Sequence, residues 1–376
     1  MKKIILYYGP KKGFKRVIPK ECISLSELVA EHDNKNKIVK HILVDPNRPI
    51  EELPIEKTEY ENVVAYSDQY AGITESAVQS FLSVLDSYLI DNLYLQNPPL
   101  QIKTQLQQTY PNIIIEKNFN YKKLSKEMLI KINEGFDETI IGQEQVKVRL
   151  MSALYPLLQG GVKLKPLVIM FYGKSGIGKT ETAKFISKIL GQQLFRKQFS
   201  MFHSVEFQSY IFGGNHSQAS FARDLLERES NVILLDEFDK SHPVFHSAFY
   251  QLFDEGVFED KNYQVLLYNS IIICTSNYLT EEEIRKNLGD PIFYRFDKFI
   301  KFEDLSIESI HKIIDLQMEN KCKKLTEEEL AIVNKEYIIS KLKSVSNKIQ
   351  NVRQIGKIIE EYLSMQLVTH LLSEEQ

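Results

Sequence analysis

The fold of this chain is decided by residues 173 to 180, which read Gly-Lys-Ser-Gly-Ile-Gly-Lys-Thr. The apolar run Pro166–Tyr172 precedes them and predicts a buried strand. Glu181–Leu190 follows them and predicts a helix, because its apolar residues recur on one face. Strand, glycine-rich loop and helix in this order form the context of a phosphate-binding loop. The sequence therefore predicts an α/β fold that binds a nucleoside triphosphate.

The residue types of this loop suit the binding of ATP with Mg²⁺. Glycines allow backbone N–H groups to close around phosphate oxygens, and the helix N-terminus adds partial positive charge. Lys179 is expected to bridge the β- and γ-phosphates, and Thr180 is expected to ligate Mg²⁺. The predicted nucleotide-binding residues are Gly173, Lys174, Ser175, Gly176, Ile177, Gly178, Lys179, Thr180 and Glu181.

A second apolar run ends in two acidic residues. Asn231–Leu235 reads as a strand buried on both faces, and Asp236 and Glu237 follow it. In a phosphate-loop protein, Asp236 is expected to hold Mg²⁺ and Glu237 to act as general base on the attacking water.

Composition excludes several classes of protein. The chain has 376 residues, a net charge of −3 and 43% hydrophobic residues, as in an ordinary globular protein. A general nucleic-acid-binding surface is not indicated by this charge. Three scattered cysteines give no metal spacing and fit a reducing cytoplasm. We find no apolar stretch of bilayer-spanning length in the sequence, so no membrane association is expected.

With these motifs in order, residues Glu138 to Leu363 resemble the AAA+ ATPases, in particular the second ATPase module of the Clp chaperones ClpB and ClpA. The resemblance is carried by Leu234–Lys240 with Ser241-His-Pro243, by Phe253–Gly256 and by Thr139–Glu144. It implies that the segment containing Ile140 and Ile141 borders the adenine of ATP. It also implies an enzyme that hydrolyses ATP and assembles into a homo-oligomeric ring, with a hexamer as one candidate size.

Three further site residues are implied by the resemblance. Asn277, after the strand-like run Ser270–Ser276, matches the first sensor, which orients the hydrolytic water. Arg295 matches the arginine finger, which reaches across a subunit interface. Arg353 matches the second sensor, which contacts the γ-phosphate. The structural alternatives are a turn-forming asparagine and two ordinary surface arginines.

The chain is expected to contain four parts. A small α/β N-terminal domain (1–120) has candidate strands at Lys3–Tyr8, Ile38–Val44, Asn62–Tyr66, Asn92–Leu95 and Asn112–Glu116. A helical linker (121–136) leads to a large parallel-sheet P-loop AAA+ domain (137–302), and a helical lid (303–376) follows. Loop residues beyond the N-terminal strands lie where α/β sheets bind ligands, but they are also ordinary turn formers.

Two departures from the Clp pattern limit the functional prediction. The stretch Ser209–Gln218 lacks the Gly-aromatic-Val-Gly grip on substrate, and Tyr210 and Phe212 are more readily explained as core residues. The segment between Asn277 and Arg295 has no docking insertion for a Clp-type peptidase. Torsins also lack the grip but lack the arginine finger too.

Two functional hypotheses follow. One is an ATPase that remodels a protein partner chosen by the N-terminal domain. The other is an ATP-controlled oligomeric switch or scaffold, for instance in bacterial defence or stress response, whose N-terminal domain senses a ligand or recruits an effector. A small-molecule kinase shares only the phosphate loop and leaves Arg295 and Arg353 unexplained.

Overall fold

A computed structural model describes residues 1–31, 57–159, 165–201, 204–241, 243–349 and 351–374. The strands are β1 Lys3–Tyr8, β2 Ile23–Ser24, β3 Thr58–Ala65, β4 Tyr88–Gln96, β5 Ile114–Asn118, β6 Leu167–Tyr172, β7 Phe195–Gln198, β8 Val232–Asp236, β9 Val257–Glu259, β10 Gln264–Leu266, β11 Ile271–Thr275 and β12 Lys298–Lys301.

The α-helices are α1 Lys11–Phe14, α2 Glu75–Gln79, α3 Phe81–Leu85, α4 Leu100–Thr109, α5 Lys126–Thr139, α6 Glu144–Leu154, α7 Lys179–Ile189, α8 Ser204–Phe212, α9 Phe221–Leu226, α10 Tyr250–Glu255, α11 Glu281–Leu288, α12 Asp290–Phe293, α13 Ile307–Cys322, α14 Glu327–Ile332, α15 Lys335–Ser344 and α16 Val352–Glu374. Shorter 3-10 helices lie at Gln69–Gly72, Tyr155–Leu158, Phe199–Met201, Phe238–Lys240, Pro243–Phe249 and Ser346–Lys348.

The contacts group the chain into two compact units. The first comprises Met1–Lys122, Phe202–Asn231 and Val244–Tyr268. The second, the P-loop unit, comprises Lys123–Met201, Val232–Pro243 and Asn269–Gln376. The four domain spans given above remain predictions.

The first unit is built on a parallel sheet of order β2-β3-β4-β1-β5. Strand β1 has the predicted bounds, whereas β3, β4 and β5 cover the other predicted strands with shifted ends. The predicted strand Ile38–Val44 lies outside the described residues. Helices α8, α9 and α10 and the antiparallel pair β9 and β10 also belong to this unit.

The P-loop unit contains a parallel sheet of order β12-β6-β11-β8-β7. Its three central strands are almost completely buried, because helices such as α5 and α7 cover the sheet. Phe136 and Phe185 pack edge to face in this core. The arrangement places the carboxyl ends of β6, β8 and β11 at one edge, as the sequence predicts for a phosphate-loop fold.

After Phe302 the described residues are helical apart from their connections. The hydroxyl of Ser306 accepts a hydrogen bond from Ser309 N and caps α13, as its position predicts. Helices α13, α15 and α16 enclose a core of their own around Ile314, Ile338 and Ile359. Thr74 likewise caps α2, and Ser80 separates α2 from α3.

The helices in the described part of the chain include none with the length and apolar character that crossing a bilayer requires.

Candidate nucleotide-binding site

A cleft of about 630 Å³ lies at the carboxyl edge of the sheet in the P-loop unit. Its size falls within the usual range for small-molecule sites. Its lining comprises Thr139, Ile140, Ile141, Ser175, Gly176, Ile177, Gly178, Lys179, Thr180, Glu181, Lys184, Arg196, Gln198, Asp236, Glu237, Thr275, Asn277, Leu305, Ile313, Leu316, Gln317, Val352, Arg353 and Gly356.

The glycines of the phosphate loop have backbone conformations that side chains disfavour. Gly173, Gly176 and Gly178 have φ values of 127°, 82° and 114°. A Cβ atom on Gly173 would lie 2.4 Å from Phe302 O, so this position also lacks room for a side chain. Gly178 directly precedes α7, so the loop leads into the helix N-terminus and presents its free N–H groups.

Lys179 lines the cleft and is buried. Its Nζ donates to Lys174 O at 2.7 Å and to Asn277 Oδ1 at 3.2 Å. Burial lowers the pKa of Lys179 to about 8, although the charges of Asp239 and Asp236 oppose the shift. A buried ammonium held by neutral oxygens is poised to receive an anion.

Asp236 and Glu237 occupy the end of β8, where hydrogen bonds hold both carboxylates. Thr275 Oγ1 donates to Asp236 Oδ1 at 2.6 Å and accepts from Glu237 N at 2.9 Å. Arg196 Nη2 donates to Asp236 Oδ2 at 2.6 Å, and Gln198 Nε2 donates to Glu237 Oε2 at 3.1 Å. Glu237 has a φ of 54°, which turns its side chain out of the strand direction.

Arg196, Gln198 and Thr275 line the cleft and the charge of Asp239 acts on Lys179, but the sequence patterns predict none of these residues for the site. Arg196 and Gln198 share one face of β7, and the sequence pattern there does not predict a strand. Thr275 is the polar end of the buried run of β11, and that ending is the signal that could have identified it. Asp239 is buried, and burial raises the pKa of its carboxyl.

Helix α16 brings Arg353 into the lining of the cleft. Arg353 N donates to Asn351 Oδ1 at 2.9 Å. A Cβ atom on Gly176 would lie 1.9 Å from that same oxygen. Asn351 therefore touches the phosphate loop and the start of the lid helix at once.

Three predicted site residues are not among the described residues that line the cleft: Gly173, Lys174 and Arg295. Lys174 Nζ instead pairs with Asp304 Oδ2, and only its carbonyl faces Lys179. Arg295 follows α12, and its Nη1 donates to Pro291 O at 2.6 Å. The other predicted residues, including Ile140 and Ile141, are brought together around the cleft.

The donor set fits a nucleoside triphosphate with Mg²⁺. The hydroxyl of Thr180 and the carboxylate of Asp236 are hard oxygen ligands beside the phosphate loop, and Mg²⁺ favours a few carboxylates plus substrate phosphates. Asp239 Oδ1 is a buried oxygen without a hydrogen-bond partner among the described residues. Apolar side chains, among them Ile313, Leu316 and Val352, offer a wall for a flat base. No group of three or more His, Cys, Asp or Glu side chains is placed for metal binding in the described ranges.

Comparisons with known proteins agree with this geometry. The family described as AAA domain (Cdc48 subfamily) matches residues 165–331. The chain is 29% identical over 240 residues to the chaperone protein ClpB of Clostridium perfringens, covering 55% of this chain and 28% of that protein. It is 26% identical to the ClpA homolog protein of Fuscovulum blasticum, covering 67% of this chain and 36% of that protein.

A solved structure described as a closed-state cryo-EM reconstruction of Hsp104 with ATPγS and FITC-casein has the same fold, with a TM-score of 0.57 at 15% identity. The match covers 99% of this chain and 89% of that chain. The chain thus spans about a third of the length of the ClpB and ClpA relatives named above. Residues 165–331 thus match the AAA domain family, and the chain is similar over this part to the Clp chaperones ClpB and ClpA.

Proposed function

We propose that this chain couples ATP binding and hydrolysis to the remodelling of a protein partner. The observation that carries the proposal is the assembly of Lys179, Asp236, Glu237, Asn277 and Arg353 around one cleft. Remodelling is what the likeness to the chaperone ClpB suggests for an ATPase part with these residues.

Each residue has a separate task in the proposed mechanism. The amides of the phosphate loop and the Lys179 ammonium bind the phosphates, and Thr180 and Asp236 would hold Mg²⁺. Mg²⁺ neutralises phosphate charge when it is bound. Glu237 accepts a proton from the attacking water, which Asn277 orients, and Arg353 contacts the γ-phosphate from the lid.

Arg295 completes the proposed site from a second copy of the chain. It is not among the described residues that line the cleft of its own chain, so it serves a neighbouring subunit in this proposal. The active unit is then a homo-oligomer, and the N-terminal domain selects the partner.

The substitution Glu237→Gln tests the ATPase mechanism. Loss of the carboxylate base should nearly stop hydrolysis, whereas ATP affinity should stay within a few-fold because Lys179 and Asp236 are intact. Glu282→Gln makes the same chemical change on the exposed side of α11 and serves as the matched control. Lys179→Ala should weaken nucleotide binding itself. Hydrolysis by Glu237→Gln at the wild-type rate would remove Glu237 from the role of base.

A second candidate function is an ATP-controlled switch or scaffold. It is favoured by the position of Tyr210, which is buried rather than exposed as a substrate grip requires. An unfolded protein such as casein distinguishes the two functions. Stimulation of the ATPase rate by casein supports remodelling, whereas a nucleotide-dependent change of oligomer mass without stimulation supports the switch.

A further inference from the structure

The middle of the sheet in the first unit has the topology of a ligand site. In this sheet β2, β3 and β4 lie on one side of β1, and β5 lies on the other side. After β1 the chain runs to the side of β2 and β3, whereas after β4 it crosses β1 to reach β5. Open α/β sheets bind ligands beyond the carboxyl ends of the strands at such a reversal. The carboxyl ends of β1 and β4 deliver Gly9, Gln96 and Asn97 to this point.

A carboxylate of the same chain occupies this position. Glu227 Oε1 accepts hydrogen bonds from Gln96 Nε2 at 2.9 Å and from Asn97 Nδ2 at 2.8 Å. Glu227 Oε2 accepts from Lys11 N at 3.2 Å. Glu227 directly follows α9, within the part of the sequence that matches the AAA domain family.

The two amide groups are fixed before they meet Glu227. Both side chains are 0% exposed. Asn97 Oδ1 accepts from Gly9 N at 2.8 Å and Gln96 Oε1 accepts from Ser67 N at 3.3 Å, so the opposite NH₂ groups must face Glu227. Both NH₂ groups also donate to Gly9 O at 3.0 Å. Asn97 holds a left-handed φ of 46°, a conformation that asparagine tolerates.

We propose that the carboxyl edge of this sheet, formed by Gly9, Lys11, Gln96 and Asn97, is a carboxylate-binding site whose resident ligand is Glu227. The site consists of neutral amide donors and one backbone N–H, which a carboxylate satisfies with acceptor oxygens alone. Because it holds Glu227, the N-terminal sheet fixes the stretch that comprises α9 and the residues next to it. His216 Nε2, which lies at 2.9 Å from Ile73 O, and Arg223 Nη2, which donates to Ser67 O at 3.1 Å, attach the same stretch.

The site gives the N-terminal domain a means of control over the ATPase part of the sequence. An acidic side chain of a partner that enters the site must displace Glu227, because both use the same donors. Displacement removes one of the three attachments of α9 and of the residues before it, which include the Ser209–Gln218 stretch where Clp chaperones carry their substrate grip.

Chemical rescue of Glu227→Ala in the full chain tests the site. The substitution removes an acetate-sized group from in front of three hydrogen-bond donors. Hydrogen–deuterium exchange of residues 213–231 should become roughly tenfold faster or more, as the loss of hydrogen bonds to a charged group implies, while residues 167–190 exchange as in the wild type. Sodium acetate should restore slow exchange, and sodium chloride at equal ionic strength should not.

Glu229→Ala is the matched control, because Glu229 is an exposed carboxylate that lies 3.7 Å from Lys12. In this variant, residues 213–231 should exchange hydrogen for deuterium as in the wild type with either salt. If Glu227→Ala does not fold, Glu227→Gln replaces it in the experiment. The amide of this glutamine adds donors where only acceptors fit, so exchange of residues 213–231 should again be faster than in the wild type. Wild-type exchange in either Glu227 variant, or acetate protection of Glu229→Ala equal to that of Glu227→Ala, would overturn the proposal.

Discussion

Arg196 holds the carboxylate of Asp236 through two hydrogen bonds to the same oxygen, from Nε at 3.0 Å and from Nη2 at 2.6 Å. The guanidinium therefore occupies one of the two oxygens of Asp236, the carboxylate that is proposed to hold Mg²⁺. A cation that binds Asp236 through this oxygen must compete with Arg196.

Removal of this competitor should change the response of the ATPase to Mg²⁺. In Arg196→Ala, the Mg²⁺ concentration for half-maximal ATPase activity should fall by about two- to fivefold, since an ion pair with an exposed partner contributes about 1 kcal/mol at most. Lys197→Ala is the control, because this neighbouring basic residue does not belong to the described lining of the cleft. A Mg²⁺ titration of initial rates measures the effect, and a higher requirement in Arg196→Ala would show that Arg196 assists metal binding instead.

The buried ammonium of Lys179 predicts a pH dependence of nucleotide binding. Its pKa is lowered to about 8, and only the protonated form attracts phosphate. Affinity should therefore be full below pH 8 and fall as the pH rises above it, by at most about tenfold per pH unit for one proton. The dissociation constant of a fluorescent ATP analogue, measured on both sides of pH 8, tests this.

Lys179→Arg supplies the control for that experiment, because a guanidinium stays charged throughout the range. Its affinity should be lower but nearly independent of pH. A wild-type affinity that stays flat above pH 8 would place the pKa of Lys179 higher in the ligand-free protein.

The position of Arg295 predicts complementation between subunits. Arg295→Ala should reduce the ATPase rate by roughly 10³–10⁵, as the loss of an arginine finger does. Mixing it with Glu237→Gln should restore part of the activity, because some interfaces then combine an intact Glu237 with an intact Arg295. Arg285→Ala, which breaks an ion pair with Asp290 within one chain, should keep this activity without mixing and serves as the control. Full activity of a strictly monomeric protein would contradict the role in trans.

The sequence predicts the parts of the site that belong to one continuous stretch. The phosphate loop and the Asp236-Glu237 pair each follow an apolar run, so strand and site are read together. Arg196 and Gln198 were missed because Phe195–Gln198 has no apolar pattern, and their function depends on the parallel pairing of β7 with β8. Contacts such as Glu227 with Asn97 join residues 130 positions apart, which local periodicity does not encode.

The structure confirms the predicted core position for Tyr210 but not for Phe212. Tyr210 is 9% exposed, and its hydroxyl donates to Asp224 Oδ2 at 2.6 Å, so the prediction of a core position is confirmed. Phe212 is 38% exposed, although its ring lies 6.1 Å from that of Phe245, so the prediction of a core position is wrong there. Phe212 is the last residue of α8, where the following Gly213 turns the chain with a φ of 82°.

Each of the two residues therefore tests a different model. Tyr210→Ala should lower the free energy of unfolding by about 3–5 kcal/mol, as the loss of a buried aromatic does, and it should reduce ATPase activity only through the lost stability. Phe212→Ala removes less buried area and should cost under about 2 kcal/mol. Because an exposed aromatic can hold a sliding chain at low rotamer cost, Phe212 is the better candidate for a substrate grip.

Melting curves, basal ATPase rates and casein-stimulated rates of both variants separate these effects. If Phe212→Ala keeps its stability and basal ATPase rate but loses stimulation by casein, the substrate polypeptide is threaded past this residue. If stimulation is unchanged, the protein acts on its partner without an aromatic grip in the Ser209–Gln218 stretch.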